Sequence, residues 1–388
     1  MRIWKISHSV SMLVQWALTR SISALYPRTA ETHILFCMVD HYEPGAGDID
    51  RDTEEARVEH LVSRFPLLAD RHQDATGRPF QRTWFFPPHY HRFGTLKRLV
   101  ALCKQGYGEI ELHLHHGKSR PDTSSNLAAC LSQCISDYRV FGIFGSRIGR
   151  PAYAFIHGDW ALANSRNNVY CGVNDELEIL WQTGCYADFT FPAPNEATPP
   201  FANRIYYPSG NDHKPKSYRW GRTVKAGSPS ENRVMIIQGP THPYGIGSGL
   251  LGIRIVGDAI DGNIPFSNRR VDLWVDTRVH VSGRRNWIFI KTHTHGATDA
   301  SAALGDEMEA ICRRLDTAYN DGTRHILHYI TARELFNIVK AAEANEPGSN
   351  PTQFRDYIVS PPLYDSSPNI EQASPTLQTL LAKTYPVD

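Results

Sequence analysis

Short apolar runs alternate with amphipathic stretches along most of the chain. His33 to Val39 (HILFCMV) reads as a first strand, and the acidic, helix-friendly segment Thr53 to Asp70 as the helix after it. Thr83 to Phe86 is a second strand, followed by a helix over Leu96 to Lys104. Glu109 to Leu114 (EIELHL) is a third, and Tyr153 to His157 a fourth, with a helix over Asp175 to Thr183. Ala187 to Phe191, Val234 to Gln238, Trp287 to Lys291 and Ile326 to Ile330 complete the set, the last leading into a helix at Ala332 to Ala344. This alternation predicts an α/β fold: a (β/α) barrel, incomplete or distorted, of about seven or eight strands.

Three stretches break the rhythm. In residues 1–30, Ile6, Val10, Leu13 and Ala17 recur at helical spacing behind Arg2 and Lys5. That predicts an amphipathic helix, packed on the domain or touching a membrane surface through residues 1–27. His8, Gln15 and Arg20 interrupt it too often for an export signal, which points to a cytoplasmic protein. Within the barrel domain, residues 31–346, the polar and turn-rich Asn203 to Arg233 reads as a long surface insertion or lid. From 347 to 388 the chain is a Pro-rich, irregular tail.

The informative polar residues fall at the strand ends. The first strand ends in Asp40-His41-Tyr42-Glu43, the second leads to His89-Tyr90-His91, and the third ends in His113-Leu114-His115-His116. The fourth ends in His157-Gly158-Asp159-Trp160, and the Trp287 strand in His293-Thr294-His295. In α/β barrels the active site lies at the carboxyl ends of the strands. His-x-His on a strand also points both imidazoles to one side. Asp40-His41 with three such pairs predicts a metal or acid–base site.

Composition narrows the class. The 388 residues carry 41 Lys+Arg against 40 Asp+Glu, a net charge of +1, which removes the electrostatic case for a nucleic-acid binder. No apolar run approaches the roughly 18 residues a membrane span needs. The seven Cys show no paired CxxC spacing and sit largely in apolar runs, as buried reduced thiols would. The 18 His supply the commonest metal ligand and general acid–base.

The order of motifs resembles the polysaccharide deacetylases of the NodB-homology type, carbohydrate esterase family 4. It comprises an apolar strand ending in Asp40, then EIELHLHH, then GCYADFTFP, then IKTHTHG, and spans roughly Ile34 to Ile338. The resemblance implies a divalent metal and removal of N- or O-acetyl groups from a carbohydrate, such as an acetamido sugar. Asp40 matches the family's base, and His41 stands where its Asp ligand would be, with Glu43 as a further candidate. His113 matches the first metal-binding His, with His115 or His116 replacing the second. His293 or His295 matches the catalytic His that protonates the leaving group. The family's arginine motif has no clear counterpart. His89, His91, His157, Asp159 and Trp160 would then line the substrate groove, with Glu43 beside them, and His-rich ligation favours zinc over magnesium. Trp160, Tyr206, Tyr207, Trp220 and Tyr244 are candidate sugar-stacking aromatics, with ordinary packing as the alternative. The rival readings are a catalytically inactive glycan-binding barrel, a metal-dependent amidohydrolase and a glycoside hydrolase. Oligomeric state is not legible.

Overall fold

The computed structural model describes residues 11–17, 31–47, 49–89, 93–191, 197–230, 233–245, 253–264, 266–368 and 374–384. Its strands are β1 (Thr32–His41), β2 (Arg82–Phe86), β3 (Glu109–Leu114), β4 (Gly145–Arg147), β5 (Arg150–His157), β6 (Cys185–Asp188) and β7 (Ile205–Pro208). They continue as β8 (Gly221–Thr223), β9 (Met235–Ile237), β10 (His242–Gly245), β11 (Ile253–Val256), β12 (Trp287–Thr294) and β13 (His325–Tyr329). One large sheet runs β12-β1-β2-β3-β5-β6-β9-β7-β8, with β13 also on β1 and β4 on β5; β10 and β11 pair separately. From β12 to β9 every neighbouring pair along that path is parallel. The α/β expectation therefore holds at the level of a mixed fold with a mostly parallel sheet.

The apolar runs follow from burial on both faces, as parallel strands between helices require. In β1, Ile34, Phe36 and Met38 join one core cluster, while Leu35, Cys37 and Val39 join another. The first cluster is covered by helices such as Arg51–Ala69 and Phe93–Lys104, through Val58, Leu61, Phe65, Leu96 and Leu99. The second is sealed by the helix Ala332–Ala344, whose Leu335, Phe336, Ile338 and Val339 pack against it. Thr331 and Glu334 form a capping box at that helix start. Arg333 clamps Glu109, the first residue of β3, at 2.7 Å. One end of the second cluster is thus closed by apolar packing, and the carboxyl ends of the strands form the other.

Register brings those ends to one level. Val39 pairs with His293, Asp40 with Thr294, His41 with Phe85, and Leu114 with His157.

Three irregular stretches are more ordered than their composition suggests. Among the described residues of 203–233, the expected surface insertion or lid, β7 and β8 extend the sheet antiparallel from β9, and Tyr206 and Tyr207 are buried. Those two tyrosines are core residues rather than sugar-stacking surfaces. Residues 11–17 are helical, with Met12 buried and Gln15 Nε2 donating to Pro200 O at 3.2 Å. The remainder of the expected N-terminal helix lies outside the described residues. In the tail, the helix Pro375–Ala382 sits on Ser124–Tyr138, where Ser374 donates to Asp137 at 2.8 Å. No helix among the described residues is long and apolar enough to cross a membrane.

Candidate functional site

Alternation along three strands builds the site. On β1, β3 and β12 the even positions Met38, Leu112 and Ile290 pack into the helix-covered cluster, so the odd positions face the other way. His41, His113 and His293 are odd and stand above the second cluster at the strand ends. His115 and His295 follow two residues later.

Their rings form one group. Ring centroids of His41 lie 4.8 Å from His113, 5.4 Å from His293 and 4.6 Å from His295. His113 and His115 are 4.7 Å apart. Glu43 closes the cluster: its Oε1 lies 3.2 Å from His113 Nε2 and 2.8 Å from His115 Nε2, and those nitrogens are 3.1 Å apart. One donor atom from each of Glu43, His113 and His115 falls within 4.8 Å of the other two.

The far nitrogen of each key ring is held. His113 Nδ1 lies 2.9 Å from the Ile156 carbonyl, His115 Nδ1 lies 2.9 Å from Asp159 Oδ2, and His293 Nδ1 lies 3.0 Å from Asp258 Oδ1. Acceptors on Nδ1 hold a proton on that nitrogen and turn each Nε2 inward, the arrangement typical of metal-ligating or acid–base histidines. Lys291 Nζ, 2.7 Å from Asp258 Oδ2, neutralises that buried carboxylate.

Burial and charge set the protonation states. Burial opposes the charge of Glu43, but bonds from His113 and His115 outweigh it and hold the carboxyl well below its usual range. Burial likewise opposes protonation of His115, yet Asp159 and Glu43 raise it to about 9. Burial, reinforced by neighbouring imidazoles, drives His41 well down, and burial takes His295 to about 4. Burial raises Asp258, but Lys291 and His293 overcome it and bring the carboxyl to about 2.

A carboxylate and two imidazoles with converging donors suit a divalent cation that keeps open positions, as zinc-type catalytic sites do. The fit is in the donor set: Glu43 Oε1 and the Nε2 atoms of His113 and His115 converge, and a cation would replace the protons these nitrogens otherwise direct at the carboxylate.

Several expected residues lie elsewhere. Asp40 points to the opposite face of β1 from His41. It forms a fully buried ion pair with Arg82 at 3.0 Å and accepts from Gly296 N at 2.9 Å. The Arg82 guanidinium lies over Phe65 and Trp84, so the pair belongs to the helix-covered core, walled off from the imidazoles. The expectation that Asp40 contacts a reacting water is therefore corrected. His157, expected in the groove, is 1% exposed and turns to His116 and Glu176, with Nε2 3.0 Å from His116 Nε2. Asp159 orients His115. Trp160 is 36% exposed at the rim. His89 lies against His115, centroids 5.4 Å apart, but β2 has ended before it, so the strand argument for His89 and His91 fails. His91 lies outside the described residues.

Arg82, Asp258 and Lys291 escaped the sequence reading. An arginine opening a strand looks solvated, and nothing in the spacing of Asp258 ties it to β12. No family model matches the chain, and no curated protein matches it significantly.

Proposed function

We propose that this chain is a metal-dependent hydrolase on a (β/α)-barrel-like frame that removes N-acetyl or O-acetyl groups from a carbohydrate. The observation that carries the reading is the convergence of Glu43, His113 and His115 beneath His41, His293 and His295 at the carboxyl ends of β1, β3 and β12. The barrel reading draws support from the strip Val279–Ser282. It bonds β12 through Phe289 N to Val279 O at 2.8 Å, and the segment after β8 through Ser282 N to Val224 O at 3.0 Å.

Glu43, His113 and His115 would hold the cation, which supplies Lewis acidity at an acyl carbonyl and makes a nearby water easier to deprotonate. With Asp40 enclosed, the proton of that water passes to an imidazole. His295, kept neutral by burial, accepts it. His293, in the imidazolium form that Asp258 stabilises, would donate its Nε2 proton to the departing amine or alcohol and regain one from solvent, to which His295 releases the proton it took. An amine leaving group requires that proton, since an amide anion is too basic to depart. Trp160 at the rim would meet a sugar face.

The test is elemental analysis of purified protein beside an acetate-release screen on acetylated amino sugars. The reading requires a divalent metal whose removal abolishes release, and loss of about one metal equivalent together with release in His113→Ala. Release that persists in metal-free protein would sink it.

A further inference from the structure

A second group of donors sits on the other side of His115. His116 follows β3, His157 ends β5, Cys171 lies in the following loop, and Glu176 opens the helix Glu176–Gln182. All four are buried, with exposures of 3%, 1%, 0% and 0%. One donor atom from each lies within 4.8 Å of the others. His116 Nε2 is 3.0 Å from His157 Nε2, 3.1 Å from Glu176 Oε1 and 3.9 Å from Cys171 Sγ; His157 Nε2 is 3.5 Å from Glu176 Oε1. Four donors around a tetrahedral zinc, at the usual bond lengths, stand roughly 3.3–3.6 Å apart, so the observed separations bracket that figure.

Proton placement sharpens the case. His157 Nδ1 faces the Gly158 carbonyl at 2.6 Å, and a carbonyl can only accept, so the proton sits on Nδ1. His116 Nδ1 faces Asp122 Oδ2 at 3.0 Å and carries its proton likewise. The two Nε2 atoms then face each other across 3.0 Å, beside a carboxylate and a sulfur. A cation among the four, or a proton on one Nε2, removes that repulsion, and the four-donor spacing is what favours the cation. The remaining atoms are tied back: Glu176 Oε2 accepts from Ala163 N at 2.6 Å, and Cys171 Sγ from Val173 N at 3.4 Å.

We propose that His116, His157, Cys171 and Glu176 form a closed, four-ligand structural site for zinc, distinct from the open Glu43–His113–His115 site. Two imidazoles, a thiolate and a carboxylate leave no position for substrate, which separates structural from catalytic zinc. The thiolate selects zinc over magnesium or calcium. The site clips the ends of β3 and β5 to a loop that needs an anchor. Seven non-glycine residues between Asp159 and Tyr170 take left-handed φ, from 49° to 67°. That loop carries Asp159, which orients His115, so the clip supports the neighbouring cluster. The proposal does not rest on the reaction proposed above.

Cobalt(II) substitution tests it. Cobalt-loaded wild-type protein should show the near-ultraviolet thiolate-to-cobalt charge-transfer band. Cys171→Ser should abolish that band and lower zinc content by about one equivalent, while His113→Ala should keep the band. Glu176→Gln should shift it. If Cys171→Ser fails to fold, the wild-type spectrum alone decides. A cobalt-loaded wild type without a thiolate band, or a band surviving in Cys171→Ser, would overturn the proposal. Acetate release plays no part in either outcome.

Discussion

His115 and His116 are neighbours in the chain and serve different clusters: His115 Nε2 lies 2.8 Å from Glu43 Oε1, and His116 Nε2 lies 3.1 Å from Glu176 Oε1. Strand-like alternation carried past Leu114 sends them to opposite sides. His115→Ala should cost about one metal equivalent and leave the thiolate–cobalt band intact; His116→Ala should do the reverse. Metal content and cobalt spectra of the two variants check this, and equal effects on both sites would show that the clusters are one.

Asp40 and Arg82 are both fully buried. Burial raises the Asp40 carboxyl to about 6 even with Arg82 beside it, so the pair is held at a desolvation cost. Asp40→Asn should destabilise the fold by about 3–5 kcal/mol, because it strands a buried guanidinium. Replacing both, as Asp40→Leu with Arg82→Met, should restore most of that loss. Denaturant midpoints decide. Unchanged stability with lost turnover would instead return Asp40 to the reacting centre.

In the proposed reaction Asp258 would act through His293, whose Nδ1 lies 3.0 Å from its Oδ1, rather than on substrate. Asp258→Asn should lower kcat by roughly 10²–10⁴ with KM and metal content retained, since the imidazolium loses its counter-charge. The change also leaves Lys291 without its carboxylate. The Asp258→Asn, Lys291→Met double variant should therefore keep the kcat loss while regaining stability. A kcat that recovers with the double change would make Asp258 merely structural.

The strand-end logic was legible because β1, β3 and β12 alternate cleanly. Two-sided burial made their cores visible as apolar runs, and period two then placed His41, His113 and His293 together. Glu43 as a third donor was less legible, because it lies past the end of β1, where alternation no longer applies. The same parity, applied to Asp40, separates it from His41; family resemblance pulled it the other way. Cys171 and Glu176 come together through a loop of left-handed residues, and no periodicity announces such a path. Asn203 to Arg233 read as a surface insertion or lid because its turns are polar, yet Tyr206 and Tyr207 are held in the core by β7 pairing with β9.

Gly158 is where the His115 ring meets the backbone. A Cβ there would lie 2.3 Å from His115 Nδ1. Gly158→Ala should push the imidazole off Asp159 and weaken metal binding at the open site by about 10–100-fold, the usual cost of losing an orienting partner. Metal titration measures the change. Wild-type affinity in this variant would mean that the Asp159 contact does not position His115.

His33 and His328 stack at the opposite end of the sheet, with His33 Nδ1 2.8 Å from His328 Nε2. Burial lowers both, taking His328 to about 3, with Glu31 opposing at His33, and Asp74 and Arg355 acting in opposite senses at His328. A histidine depressed in the folded state gives stability that is whole above its unfolded value near 6.5 and is lost as pH falls toward the folded value. The unfolded chain takes up the proton first. His328 alone should therefore remove about 2 kcal/mol between pH 6.5 and pH 5. His328→Gln should flatten that part of the stability–pH curve, measured by denaturant unfolding at each pH. The same acid slope in the variant would show that other groups carry it.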